Sequence, residues 1–262
     1  MAYANTFKRR EMKFLLNEEQ YKLLFDEISR YMTEDKFGLH TIMNIYLDNQ
    51  NSDLILNSIS KPVYREKLRL RAYGTAAEDD SRAFLEIKKK FRGITYKRRL
   101  DGNYKQLFDY IVSGITPEVT NTERHPNRQQ IFAEINYLIQ RMDLKPSIII
   151  CYDREAFFGN DDKEFRLTFD GNIRYRRDDL DLRSGDSGKI FESAPYRIME
   201  VKSSGSIPLW LVRILSANKI YQGSFSKYAT IYQQETVEKR FECPDTRSEL
   251  SGEQIMLSTR VS

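Results

Sequence analysis

The sequence predicts an α+β fold: a closed, eight-stranded antiparallel β-tunnel with helices packed outside. Three observations predict it. The hydrophobic period switches repeatedly between 2 and 3.6 along the chain. Several period-2 segments are joined by connections short enough for hairpins. Most of those segments carry charge on one face and apolar side chains on the other. Eight strands close around an interior wide enough for side chains and one small ligand.

The elements follow in order. Residues 8–16 alternate as a strand, and 17–32 read as an amphipathic helix, with Asn17 as its cap and Tyr21, Leu24, Phe25 and Ile28 on one face. A strand over 40–48 precedes a short helix near 52–58. Strands follow at 64–74, 82–92 and 94–101, and Gly93 between the last two is a tight-turn signal. Helices are predicted over 103–113 and 127–142, with Pro117 and Pro126 breaking the link between them. Strands return over 146–158 and 164–176, then a polar loop over 178–195 and a strand over 196–203. Helices start at Pro208 and Ser226. Residues 1–235 are read as one domain and 236–262 as a flexible tail.

Composition narrows the function classes. The 42 Lys and Arg nearly cancel the 38 Asp and Glu, so bulk charge does not argue for nucleic acid. The basic segments also lack the interleaved aromatics that stack bases, and no nucleic-acid partner is expected. Cys151 and Cys243 make no disulfide framework, which points to a reducing cytoplasm. The first ten residues have no apolar h-region, and no apolar run approaches the ~20 residues that span a bilayer. A membrane-bound partner is compatible with this reading. His40 and His125 are too few and too far apart for a triad or a zinc site. The stretch 185–190 fails as a phosphate-binding P-loop, because Arg183 stands at the first glycine position and Ile190 at the Ser/Thr position.

The charged faces carry the functional argument. Arg65, Lys67, Arg69 and Arg71 share one face of their strand, opposite Leu68, Leu70 and Ala72. Glu86, Lys88 and Lys90 oppose Leu85 and Ile87, and Lys97 and Arg99 share the next face. Tyr152 and Arg154 flank Asp153. Arg166, Thr168 and Asp170 alternate with Phe165, Leu167 and Phe169; Glu200 and Lys202 alternate with Met199 and Val201; Glu11 and Lys13 alternate with Met12 and Phe14. A solvated face usually mixes signs, since like charges in a row repel. Amphipathic helices need apolar surface to cover, so the apolar faces are expected outward, under the helices, and the charged faces inward. Confined cations repel strongly at reduced dielectric. A linear polyphosphate would relieve that repulsion, and Arg and Lys are the usual phosphate ligands. Glu11, Glu86 and Glu200 are candidate ligands for a divalent cation.

On Glu11-Met12-Lys13, Lys67-Leu68-Arg69-Leu70-Arg71, Glu86-Ile87-Lys88, Tyr152-Asp153-Arg154, Arg166 and Glu200-Val201-Lys202, the chain resembles a known family. It is similar to the polyphosphate polymerase domain of the vacuolar transporter chaperone (VTC) complex, one of the triphosphate tunnel metalloenzymes related to the CYTH proteins. The resemblance covers about residues 5–235. It implies that Lys13, Arg69, Arg71, Lys88, Lys97, Arg154 and Arg166 grip a nucleoside triphosphate and a growing chain. It implies a metal on Glu200, manganese in preference to magnesium, and phosphate contact by Tyr152. Ser226 and Lys227, from Ser226-Lys227-Tyr228, are implied to reach into the tunnel. Arg65, Lys67, Lys90, Arg99 and Lys202, on the same faces, are expected to bind substrate. The implied activity is transfer of the ATP γ-phosphate to a polyphosphate or pyrophosphate acceptor. A tripolyphosphate or nucleoside-triphosphate hydrolase and a non-catalytic polyphosphate-binding module are the alternatives. The first strand lacks the full Glu-x-Glu-x-Lys of the hydrolase branch, which favours the polymerase branch. The family's inositol-phosphate-sensing domain and membrane anchor lie outside the resemblance.

Overall fold

The computed structural model describes residues 10–92, 94–118 and 126–242. The first strand, β1 (Arg10–Leu16), runs into α1 (Glu18–Ile28) through a reciprocal cap. Asn17 Oδ1 accepts from the Gln20 amide at 2.8 Å, and Gln20 Oε1 accepts from the Asn17 amide at 3.2 Å. Then come β2 (Met32–Glu34), β3 (His40–Asp48), α2 (Asp53–Ser60), β4 (Tyr64–Tyr73), β5 (Arg82–Phe91) and β6 (Ile94–Asn103). Two helices, α3 (Tyr104–Ser113) and α4 (Pro126–Met142), lead to β7 (Lys145–Gly159) and β8 (Arg166–Arg176). The chain continues through β9 (Lys189–Ile190), β10 (Arg197–Ser203), α5 (Leu209–Ala217), β11 (Gln222–Gly223) and α6 (Lys227–Glu242).

All strands join one antiparallel sheet, in the order β11-β1-β10-β8-β7-β3-β4-β5-β6, with β2 beside β7 and β9 beside β8. The predicted closure is therefore corrected. The sheet is an open, curled half-barrel of nine strands in its main path, not a closed eight-stranded tunnel. Closure would need β6 to pair with β1 or β11. The β6 strand carries Lys97, Arg98 and Arg99 in succession, which guards a free edge, and β11 is two residues long.

The predicted helix over 17–32 ends at Ile28, and Met32 then pairs with Gly159. The polar loop contains β9, where Ile190 pairs with Arg174. Two- and three-residue strands leave no periodic trace to read. The last helix runs on past residue 235 to Glu242. Gly93, His125, Cys243 and the remainder of the expected tail lie outside the described residues.

Helices cover the convex face of the sheet. On one half, Leu24 and Ile28 of α1 and Leu211 and Leu215 of α5 pack on Phe14, Leu167, Phe169, Met199 and Val201. On the other, Tyr104 and Leu107 of α3 and Ile135 and Leu138 of α4 pack on Leu68, Leu70, Leu85, Ile87 and Leu100. Each such side chain contributes about 1.5–3 kcal/mol by leaving water. A third cluster lies on the concave face, where Ile55 of α2 and Tyr228 and Ile231 of α6 meet Ile42, Tyr46, Ile148, Ile150 and Tyr152. Asp48 ties these two helices together. It accepts from the Leu54 and Ile55 amides at 2.9 and 3.0 Å and from the Tyr228 hydroxyl at 3.2 Å. So α6 plugs one part of the concave face with apolar side chains, and the charged side chains of the strands occupy the rest.

Candidate functional site

Strand register sorts the concave-face charges into rows, because residues directly opposite on neighbouring strands lie side by side. One row runs Tyr46, Arg69, Glu86, Arg99 across β3 to β6. The next is Lys67, Lys88, Lys97, and the next Arg65, Lys90, Thr95. On the other wall, Lys13, Glu200 and Thr168 form a row across β1, β10 and β8, followed by Glu11, Lys202 and Arg166. Arg154 on β7 lies opposite Asp170 on β8. The curl brings the walls together: Lys88 feels the charges of Glu11, Lys13 and Glu200 across the trough, although β5 and β1 share no hydrogen bond.

Three carboxylates organise the cations. Glu86, 2% exposed, accepts from Arg69 Nε and Nη2 at 2.9 and 2.7 Å and pairs with Lys97 Nζ at 2.7 Å. Its burial favours the neutral acid, but Arg69, Arg71 and Lys97 outweigh that and hold it down at about 2. Asp170 is fully buried and receives both Arg154 Nε and Nη2, at 2.6 and 2.7 Å, and Lys227 Nζ at 2.6 Å. Glu200 pairs with Lys13 Nζ at 2.9 Å. Arg154 and Lys202 approach its other oxygen at 3.8 and 3.7 Å, outside hydrogen-bond reach. Against the cost of burial, the cations keep both Asp170 and Glu200 below the ordinary carboxylate range.

In the lysine row Lys97 alone has a carboxylate partner among the described residues. Burial, followed by the charges of Lys88, Lys13 and Arg65, pushes Lys67 down to about 8 despite Tyr46 nearby. Burial likewise brings Lys97 down to about 8 even with Glu86 beside it. Lys88 is depressed by desolvation, with Lys13 and Arg69 adding to it and Glu11 and Glu200 opposing. The Tyr46 phenol is a mirror image: burial favours its neutral form, yet Arg69, Lys67 and Arg71 draw it down to about 8.

The remaining expected residues are distributed as follows. Arg71 donates to Asn44 Oδ1 at 3.0 Å and to the Tyr152 hydroxyl at 3.2 Å. The Tyr152 ring lies 4.0 Å from Lys227 Nζ and 5.5 Å from the Arg154 guanidinium. Lys67 Nζ donates to Ser226 Oγ at 3.0 Å, and Lys13 Nζ to the Phe225 carbonyl at 3.1 Å, so the segment entering α6 closes over the trough. Arg99 stacks over Phe84 at 4.8 Å. Arg65, Lys88, Lys90 and Arg166 have no hydrogen bond or ion pair among the described residues. Glu11 is exposed beside Lys13 and Lys88.

Two members of the site, Asn44 and Tyr46, escaped the sequence reading, and two more, Thr168 and Asp170, were placed on a charged face but given no role. Asn44 and Tyr46 lie on β3, which is buried on both faces and shows no alternation. Asp170 and Thr168 share the face of Arg166, and that register was the available signal. Thr168 Oγ1 is buried without a hydrogen-bond partner, directly across from Glu200.

Among the described residues no cluster of three or more metal-ligating side chains exists. Both Glu86 oxygens are taken by ion pairs, so it offers no free ligand. Glu200 has one oxygen without a hydrogen bond, next to the orphaned Thr168 hydroxyl. That fits a hard cation held by one carboxylate together with phosphate oxygens, the arrangement magnesium commonly takes.

Comparison with known proteins gives the following. A family model described as the VTC domain matches residues 8–235. Vacuolar transporter chaperone complex subunit 4 of Schizosaccharomyces pombe is 22% identical over 253 residues, covering 83% of this chain and 34% of that protein. The chain therefore spans about a third of the length of this curated relative. Among solved structures, a candidate adenylate cyclase from Bacillus halodurans superposes with a TM-score of 0.52 at 13% identity, over 82% of this chain and 92% of its own. This likeness is one of fold. A candidate adenylyl cyclase from Hippeastrum with a dominant triphosphatase activity overlaps more loosely, with a TM-score of 0.47 at 14% identity, over 86% and 95% of the two chains.

Proposed function

The chain belongs to the VTC domain family, and on that premise we propose that it is an ATP-dependent polyphosphate polymerase working in the concave trough. The observation that carries this reading is the row Lys67, Lys88, Lys97. Three lysines stand directly opposite one another, and among the described residues Lys97 alone has a carboxylate partner, Glu86 of the neighbouring row; Lys67 and Lys88 have none, and like charges so placed cost stability unless an anion lies between them. A linear phosphate chain, repeating its charge at close intervals, suits such a row better than a single compact anion does.

The mechanism follows from what these groups can do. Lys13, Lys67, Lys88, Arg69, Arg71, Arg154 and Arg166 bind phosphate oxygens and hold the γ-phosphorus of ATP in line with a terminal oxygen of the acceptor chain. The acceptor oxygen forms the new bond to phosphorus as the bond to the β–γ bridging oxygen breaks, and the electron pair leaves with ADP. Fixed cations spread the charge of the transferring group. A divalent cation, manganese or magnesium, held by Glu200 and phosphate oxygens, would supply further charge neutralisation there. The acceptor is already anionic, so no general base is required. Hydrolysis, in contrast, needs water to be activated. Glu86, Asp170 and Glu200 are each engaged by cations and held ionised at low basicity, which favours transfer over hydrolysis. No described helix is long and apolar enough to cross a membrane. A cytoplasmic setting, which supplies ATP and keeps the buried Cys151 thiol reduced, suits the proposal.

The test is incubation of the purified chain with ATP, manganese and a pyrophosphate primer, read on a polyphosphate gel. The expected product is a ladder longer than triphosphate. Free phosphate alone would replace the polymerase with a hydrolase, and tight polyphosphate binding without turnover would leave a binding module. Glu200→Ala is expected to abolish metal-dependent turnover while polyphosphate binding persists.

A further inference from the structure

The cations of β4 to β6 extend beyond the row that Glu86 neutralises. Arg69 is spent on Glu86 and Tyr46, and Lys97 on Glu86. Moving toward the strand ends, Lys67 and Lys88 come next, then Arg65 opposite Lys90. Arg65 and Lys90 are half-buried and have no acidic partner among the described residues. Arg65 acts on Lys67 electrostatically, which keeps it in the same field as the rest of the row.

Same-face residues on a strand are spaced about 6.7 Å apart, so the line from Arg71 to Arg65 covers about 20 Å. A triphosphate gripped by Arg71, Arg69 and Lys67 ends before it reaches Arg65. The two outer rows, Lys67-Lys88-Lys97 and Arg65-Lys90-Thr95, contain no aromatic ring on which a base could stack. What these rows offer a ligand is positive charge repeated along a line.

We infer that Arg65 and Lys90 form an outer subsite that engages only linear phosphate chains longer than triphosphate. This rests on the reading of the trough as a polyphosphate site. The subsite separates a short substrate, held entirely within the inner rows, from a longer chain that also fills the mouth. A chain long enough to gain these contacts dissociates more slowly, which favours successive additions to one chain over release after each step.

The experiment measures binding of tripolyphosphate and of a size-selected long polyphosphate, without ATP or metal, to the wild type and to the Arg65→Ala/Lys90→Ala double variant. Two half-exposed ion pairs of the surface kind amount to about tenfold in affinity. The double variant is expected to lose about that for the long chain and to keep tripolyphosphate affinity unchanged, which also shows that it is folded. A charge-matched control, Lys22→Ala on the convex-face helix α1 with Arg30→Ala in the turn just after it, is expected to alter neither affinity. Equal loss for both ligands, no loss for either, or an equal loss in the control would overturn the inference. A wild type that binds neither ligand would instead overturn the trough reading itself, and the subsite with it.

Discussion

Polyphosphate affinity should fall steeply as pH rises through 8, and the lysine row sets the size of the effect. In the empty trough Lys67 and Lys97 each titrate at about 8 instead of 10.5. Burial and neighbouring cations disfavour their charged forms, and the negative charge of a bound polyanion offsets both. Below pH 7 both ammonium groups are charged before the ligand arrives, so binding moves no protons. Near pH 9 most of that charge is absent, and binding must first draw protons from solvent. Each lysine then weakens binding about tenfold between pH 7 and 9, and the pair about 100-fold. Tyr46 ionises in the same window and adds a negative charge beside Arg69, so it acts in the same direction. Calorimetry with long polyphosphate is the suitable assay, because its internal phosphates do not titrate over this range. Repeating the titration at pH 8.5 in buffers of different ionisation enthalpy counts the protons taken up. Lys67→Arg/Lys97→Arg should flatten the profile, since arginine stays charged throughout. A wild-type affinity that is level or rising between pH 7 and 9 would refute the reasoning.

Other consequences concern stability and the orphaned hydroxyl. Glu86→Gln leaves Arg69, Arg71 and Lys97 without their anion, and should cost about 3–5 kcal/mol, roughly 10 °C in Tm, partly restored by saturating polyphosphate. An unchanged Tm would show that the three cations do not depend on it. Because Glu86 is held at about 2 in the fold against an ordinary 4.5, its stabilising effect is complete above pH 4.5 and is lost as pH falls toward 2. The Tm difference between wild type and Glu86→Gln should therefore narrow over that interval, and a constant difference would contradict the assignment. Thr168→Val keeps the shape of a buried hydroxyl that has no partner, and should raise stability by about 1 kcal/mol, a few degrees in Tm. A clear drop in Tm would mean that the hydroxyl is bonded in the folded protein.

The long elements were legible because each carries its own period. The segments Tyr64–Tyr73 and Arg166–Arg176 alternate cleanly, and Asn17 with Gln20 marks the start of α1. Closure was not legible. Whether the last strand meets the first depends on curl and edge chemistry, and nothing in the alternation of Ile94–Asn103 says that its outer edge stays free. The strands Met32–Glu34, Lys189–Ile190 and Gln222–Gly223 are held by neighbours rather than by pattern, so they too were invisible.

The same distinction separates the parts of the site. Cations announce themselves in sequence because a run such as Arg65, Lys67, Arg69, Arg71 has no good solvated explanation, whereas their partners do not. Asp170 looks like any acid at a strand position until Arg154 from the next strand and Lys227 from α6 both converge on it. Tyr46 looks like core until Arg69 and Lys67 surround its hydroxyl. Register decides which cations are spent and which are available, and it lies beyond single-strand patterns. Lys97 and Lys88 are indistinguishable as members of charged runs and lie directly opposite each other, yet Glu86, one row away on β5, reaches Lys97 diagonally, while Lys88 has no ion pair among the described residues. Unspent charge therefore collects toward the mouth, where Lys67, Lys88, Arg65 and Lys90 have no anion of their own. The inner rows, balanced by Glu86, Asp170 and Glu200, form a framework that is stable without ligand. That division lets the empty protein fold while keeping an electrostatic demand that only an incoming polyanion meets.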